Sequence, residues 1–553
     1  MSDPLLTPYR LKHLELRNRI FSSAHGPADA EGGMPTDRYR LYHEEKAKGG
    51  VALTMTAGSA VVAQDSPPPF GNLHAYDDAA ERMQAGGIDG IELQSYGHLF
   101  DAWWSPGTNR RSDEWGSDFD NRLRFPWLVL EAVRERVGPD FIVGLRIFLE
   151  ETVPGGFDLD TGMEILRRLE ASGLIDFINV AKCSIHNDVE LTSIVPIHGM
   201  ASAPMLDFAG RVRQDTTLPV LHAAKIDDVA TARHAIAEGR LDLVGMTRAQ
   251  IADPHLVNKI IEGRESEIWP CVGATYCLDR IYEAGEALCL HNAATSREAT
   301  MPHVIERATA QRRVVLVATG GLPQLPGLES GADLVSSSWD VLGGDVTPTG
   351  SVPFFDDNGT HSAMSAAEMI ARSGRDLEIV TPERMLGIEV GGMNHAPYAR
   401  AFNETDTRIT LSQRLLSVRP EAGRLCVEIG SNHSAHRAVR HVDHVVVDHG
   451  TQPLAELYFD LKPQSSNLGA VDYGALMEGR TQQLVRNAAG MFQLMRIGDA
   501  VASRNVHGAV LTHCAWSKTS DRLLIVSGEG VENEQSRCQP PRWHRLCRVA
   551  FTE

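Results

Sequence analysis

Three cysteines, Cys271, Cys277 and Cys289, stand in the spacing C-x5-C-x11-C, while the other five of the chain's eight are scattered. Eight cysteines in 553 residues are too few for a disulfide scaffold. Such clustering points to ligation of a metal or a metal–sulfur cluster, with zinc or merely packed thiols as the alternatives. Arg146 sits in GLRIF, an otherwise apolar run. A guanidinium there needs an anionic or electron-rich partner, either a ligand or a salt bridge. Tyr96 and His98, two apart in SYGH, can bind a substrate or hand it a proton. Trp103 and Trp104 follow closely. Paired tryptophans usually serve the core; the sharper reading is an aromatic wall for a tertiary or quaternary amine, held by cation–π attraction. Gly245, Met246, Thr247 and Arg248 end an apolar run, where backbone N–H groups can hold a phosphate. Ser22, Ser23, Ala24 and Ala57 close two further runs, and small residues there at least permit tight turns.

The elements that must position these groups alternate between short apolar runs and amphipathic stretches. Strands are expected at residues 19–24, 51–57, 90–93, 141–147, 177–181, 219–223 and 241–246, with helices at 122–136, 159–172 and 229–238 among them. That alternation means a parallel sheet, and this many units in series predicts a TIM-type (β/α)8 barrel over residues 1–262. The count is one short. A Pro-rich loop after residue 57 runs at once into the helix AAERMQAGG, so one strand and most of its helix are missing near residue 78. After a connector at 263–312 carrying the cysteines, a second α/β region at 313–511 has strands at 314–318, 377–381 and 444–448 and a helix near 365–372. The tail from 512 to 553 reads as irregular.

The net charge of −19 argues against nucleic acid or an anionic membrane surface as partner. No apolar run reaches the length of a membrane helix, and MSDPLLTPYR lacks a signal-peptide core, so the cytoplasm is the expected compartment.

The run SPGTNRRSDEWGSDFDNRLRFP at residues 105–126 resembles a signature of the old-yellow-enzyme-like NADH:flavin oxidoreductases that include trimethylamine dehydrogenase and bacterial 2,4-dienoyl-CoA reductase. LRNRIFSSAHG, ADPHLVNKIIEGR and the cysteine segment are similar to further blocks of that family, in the same order. The texture is nearest to N-demethylating members that act on methylated amino acids such as N-methylproline. This resemblance implies FMN at the barrel mouth. Ser22, Ser23, Ala24 and Ala57 would contact its ring, Arg146 its pyrimidine side, and Gly245–Arg248 with Lys225 its phosphate. Tyr96 and His98 would lie over the flavin beside the substrate, although Y-G-H departs from the family's usual order.

The same resemblance implies a [4Fe–4S] cluster on Cys271, Cys277 and Cys289. Ala274 stands where relatives carry a fourth cysteine, leaving Asp279, His291 or an exogenous ligand. Gly498 and Asp499 would approach a flavin ribityl chain in the second region. There, however, VVLVATGGLPQLPG lacks the G-x-G-x-x-G turn that a dinucleotide pyrophosphate needs, which puts FAD or NAD(P)H binding in doubt. The reading is an FMN-dependent oxidoreductase for a small molecule, demethylating a methylated amine. An NAD(P)H-dependent 2,4-dienoyl-CoA or enoate reductase is the alternative. An inactive, truncated descendant without flavin is the reading from another class. A second copy of the chain or an electron-transfer protein would be its partner.

Overall fold

The computed structural model describes residues 3–56, 72–74, 87–152, 154–304, 313–324, 328, 330–431, 433–477, 480–503, 505–517, 522–527 and 530–534. The chain divides into two compact units, Met1–His303 and Val304–Glu553. The cysteine segment, expected as a connector, lies inside the first unit.

Seven parallel strands form the centre of the first unit: β1 (Ile20–Ser22), β2 (Leu53–Thr54), β3 (Gly90–Ser95), β4 (Ile142–Phe148), β5 (Phe177–Ala181), β6 (Val220–His222) and β7 (Leu243–Gly245). Their order in the sheet is β2-β1-β7-β6-β5-β4-β3. The first strand therefore pairs with the last, Phe21 against Gly245, as a closing barrel requires. Every residue of β4, β5, β6 and β7 is buried, because parallel strands are covered on both faces. One face joins Phe21, Ile142, Phe177, Leu221 and Leu243 in an inner cluster. The other packs Val143, Leu145, Ile147, Ile178 and Val244 against helical Leu130, Leu166 and Leu169.

Among the described residues the two edges of this sheet are β2 and β3, the strands on either side of the place where a unit was expected to be missing. Among the described residues no pairing joins them. Ala57 and the helix expected just after residue 78 lie mostly outside the described residues. Among the described residues the architecture is a TIM-type barrel with seven parallel strands.

In the second unit a five-stranded parallel sheet runs in the order Ser336–Ser337, Val446–Asp448, Ser351–Asp356, Asp376–Val380, Arg408–Thr410. Helix His361–Arg372 buries Ala363, Met364, Ala367 and Ile370 against its Phe354 and Ile379. A three-stranded antiparallel sheet, Arg414–Glu421, Arg424–Gly430 and Arg437–Val442, sets Val418, Val427 and Ile429 against Phe355 and Val447. Arg313–Ala318 pairs in parallel with both Gln493–Arg496 and Arg522–Ser527. The last pairing corrects the expectation of an irregular tail. Residues 506–517 are helical, and the strand Arg522–Ser527 carries the apolar run LLIV and pairs in turn with Gly530–Glu534 at the sheet edge. Among the described residues no helix is long and apolar enough to cross a membrane.

Candidate active site

Active sites of such barrels gather at the C-terminal ends of the strands. Arg146 is near the end of β4, registered with Gln94 of β3 and Asn179 of β5. It is 6 % exposed, its Nε lacks a hydrogen-bond partner, and its guanidinium lies 4.4 Å from the centroid of the Tyr96 ring. Asn179 donates to Glu92 at 2.9 Å, leaving Glu92 Oε1 and Asn179 Oδ1 without partners. Burial raises the Glu92 carboxyl above its ordinary pKa, and the Arg146 charge opposes the rise. A buried guanidinium with an open N–H is expensive unless something outside the chain fills the gap.

Tyr96 and His98 are brought together, their ring centroids 5.1 Å apart. The residue that holds them is Asp101, which the sequence reading missed. Its carboxylate accepts from the backbone N–H of Gly97 at 2.8 Å and of His98 at 2.7 Å. Burial pushes the Asp101 carboxyl up to about 6 against those hydrogen bonds. Burial also lowers the His98 pKa, a backbone hydrogen bond at Tyr96 opposes this, and Arg146 adds to it. His98 is therefore neutral at physiological pH.

The tryptophan pair does not form a wall. Trp104 is 1 % exposed inside the core, beside Phe100 four positions earlier on helix Leu99–Trp104. Trp103 stacks on Phe125 at 4.6 Å between centroids and meets Trp115 edge-on. Their pairing is helix packing, which the i, i+4 spacing of Phe100 and Trp104 could have signalled.

Around the first strand, Ser23 N–H donates to Thr247 Oγ1 at 2.8 Å, and the two hydroxyls lie 2.7 Å apart. This ties the end of β1 to the turn after β7. Gly245 is set by sterics: a Cβ there would come within 2.4 Å of Ala223 Cβ. Met246 is buried and its N–H donates to Phe21 O. Arg248 turns away from that mouth. Its Nη2 donates to the Pro196 carbonyl at 2.8 Å, its Nη1 has no partner, and it lines the cysteine cleft. Lys225, with φ +56°, gives its ammonium to the Met200 carbonyl and stands 3.9 Å from Asp227. In the second unit Gly498 (φ +55°) and Asp499 form a single 3-10 turn just after Ile497, whose N–H donates to Val317 O.

Lys46 is the other residue that sequence reading missed. It is 1 % exposed, donates to Ser22 Oγ at 3.2 Å, and stands 4.0 Å over the Tyr42 ring. The signal was present: Tyr39, Tyr42, His43 and Lys46 make the i, i+3, i+4, i+7 stripe of a highly charged helix, and all four are buried. Burial lowers the ammonium to about pKa 7, with Glu298 and Cys277 opposing. Between about pH 7 and 10.5 the unfolded chain keeps this proton and the folded protein does not. Stability therefore rises with pH across that window and is lost as pH falls toward 7, by at most about 1.4 kcal/mol per pH unit. Lys46→Met should flatten this component, read as the difference between the two proteins in urea unfolding at pH 7 and pH 9. Equal slopes would contradict it.

Cys271, Cys277 and Cys289 line one cleft with Arg248, Ala274 and His291. Cys271 and Cys277 are free thiols. Burial pushes Cys277 up to about 12, and the neighbouring cysteines add to the rise while Arg248 opposes it. Cys289 also stands at about 12, chiefly through burial. Three thiolates here repel one another unless a cation joins them. Among the described residues, the trio of ligand atoms within 4.8 Å of one another lies elsewhere in the chain. Thiolates are the usual ligands of iron–sulfur clusters and of zinc alike. His291 Nδ1 is engaged with the Pro270 carbonyl at 2.9 Å, which leaves Nε2 as the available donor.

The family model for the NADH:flavin oxidoreductase / NADH oxidase family matches residues 72–267. A "probable N-methylproline demethylase" of Rhizobium meliloti is 42% identical over 666 residues, with 92% of this chain and 98% of that protein covered. An alignment that long, on a chain of 553 residues, leaves more than a hundred of its positions facing gaps here. An "N,N-dimethylglycine/sarcosine dehydrogenase" of Chromohalobacter salexigens is 32% identical with the same coverage. The solved structure of histamine dehydrogenase from Rhizobium sp. 4-9 is similar in fold, with a TM-score of 0.78 at 16% identity over 93% of this chain and 96% of that one.

Proposed function

Because the chain belongs to the NADH:flavin oxidoreductase / NADH oxidase family, we propose that it is an FMN-dependent enzyme that removes a methyl group oxidatively from a methylated amine or amino acid. One observation carries this reading: the buried, unpartnered polar atoms of Glu92, Arg146 and Asn179 on β3, β4 and β5. Orphaned buried groups of this kind fit a ligand with several hydrogen-bonding edges. FMN, when bound, supplies a two-electron acceptor for hydride.

Arg146 would hold the pyrimidine side of the ring, Ser22, Ser23 and Ala24 would contact it, and the Gly245–Arg248 turn would meet the phosphate. In the overall reaction an N-methyl C–H bond breaks and hydride leaves the substrate. The resulting iminium adds water and splits into formaldehyde and the demethylated amine. The nitrogen lone pair drives that loss, so the amine must be unprotonated. His98, kept neutral by burial, is the group to accept its proton, with Tyr96 beside it. Cys271, Cys277 and Cys289 would ligate an iron–sulfur cluster with His291 Nε2 or an exogenous group as fourth ligand, carrying electrons onward to a protein acceptor in the cytoplasm.

The turns of the second unit do not favour a dinucleotide phosphate. Between strand Ser351–Asp356 and helix His361–Arg372, the N–H groups of Asn358 and Gly359 already donate to the Asp356 carboxylate, at 3.0 and 2.7 Å. Asp448 accepts from Ser338, Asn358 and Ser362 at the same turn. A phosphate here would meet carboxylates rather than the free backbone amides that a dinucleotide turn presents. The test is product analysis with N-methylproline. Formaldehyde in a one-to-one ratio with proline supports the reading. Consumption of NADH by an enone, without formaldehyde from any N-methyl amine, overturns it.

A further inference from the structure

The three-stranded sheet of the second unit buries one face, with Val418, Val427, Ile429 and Val442 in its core cluster. Its outer face is polar, and in the middle of it stands a cysteine. Cys426, on the central strand, is registered with Arg419 on one side and His441 on the other. Glu421 lies two residues beyond Arg419 and so shares that face. A thiol is an odd choice among the charged residues of a solvent-facing sheet surface. Long neighbours cover it, leaving Cys426 2 % exposed, whereas the side chains of His441 and Glu421 are 55% and 42% exposed.

We propose that Glu421, Cys426 and His441 form a binding site for a zinc-class divalent cation. One ligand atom from each, sulfur, imidazole nitrogen and carboxylate oxygen, lies within 4.8 Å of the other two. His441 Nε2 and Glu421 Oε2 are already 3.3 Å apart. Tetrahedral zinc needs ligand-to-ligand edges of roughly 3.2–3.8 Å, so small side-chain rotations close the set. Thiolate plus carboxylate neutralise a divalent charge, and a neutral imidazole completes the three. Backbone ladders fix the spacing, since all three ligands stand on paired strands. The fourth position faces solvent and would hold water.

Two local groups compete with the cation. Arg419 donates to Glu421 Oε2 at 3.0 Å and must swing aside. The Cys426 thiol is held protonated by the Glu421 carboxylate, so binding releases a proton. The remaining charges on this face are committed elsewhere, Arg424 to Asp443 and Arg437 to Glu428.

The test is titration of the full chain with Co2+, read by thiolate-to-cobalt charge transfer, and elemental zinc after exhaustive dialysis. The wild type should hold one more equivalent of metal than either Cys426→Ser or His441→Gln. The cobalt charge-transfer intensity assigned to Cys426 should vanish in the first, and affinity should fall by more than about 10-fold in the second. Because His441 is largely exposed, His441→Gln keeps the test valid should the buried Cys426→Ser fail to fold. Identical metal content and identical cobalt spectra in wild type and both variants would overturn the proposal.

Discussion

Arg146→Met is expected to move two quantities in opposite directions. Affinity for FMN should fall by roughly 10- to 100-fold, the equivalent of about 1.5–3 kcal/mol for hydrogen bonds from a charged donor. The flavin-free protein should become more stable by about 1–3 kcal/mol, because a buried guanidinium with an unpartnered N–H gives way to an apolar side chain of similar length. The sign of the second effect decides between two roles. Were Arg146 there to neutralise Glu92, its removal would leave a buried carboxylate and cost about 3–5 kcal/mol. Burial already biases Glu92 toward its neutral form, so stabilisation is the expected result. Arg146→Lys should not rescue flavin binding, since an ammonium cannot reproduce a planar fork stacked on Tyr96. Flavin titration and urea unfolding of the same preparations measure both.

Much of this site was legible because barrel strands advertise themselves. GLRIF and FINVA are continuous apolar runs, and one charge inside such a run stands out against its neighbours. Counting runs in the sequence gives seven strands, and the described residues form a seven-stranded sheet whose edges are Leu53–Thr54 and Gly90–Ser95. Side chains whose role depends on tertiary contact were not. Trp104 left core and ligand wall both open, Lys46 in a charged helix drew no notice, and each is buried. Arg248 follows the phosphate-type turn in sequence, yet its side chain leads to the cysteine cleft. Direction of a long side chain cannot be read from position along the chain. Strand Arg522–Ser527 was hidden by the polar residues around a four-residue apolar core, too short to outweigh its context.

Cys277→Ser should abolish the iron–sulfur signal while leaving FMN content unchanged. Cys277 is the most enclosed of the three thiols, and its neighbours include both other cysteines and Arg248. A serine hydroxyl is a far poorer iron ligand than a thiolate, so iron and acid-labile sulfide should both be lost. Reduction of bound flavin by substrate in a single anaerobic turnover should persist. Steady turnover with an artificial one-electron acceptor should fall by roughly 10- to 100-fold or more. Unchanged iron content in a folded Cys277→Ser protein would contradict the assignment of the cleft.

Flavin chemistry requires that this barrel, with seven strands among the described residues, binds FMN. Titrating FMN into folded, soluble wild-type protein answers this directly, by quenching of flavin fluorescence and by resolution of its visible bands. Saturation at one FMN per chain is the predicted result. Free, fully fluorescent FMN at every protein concentration would show that the chain is a barrel descendant without flavin chemistry.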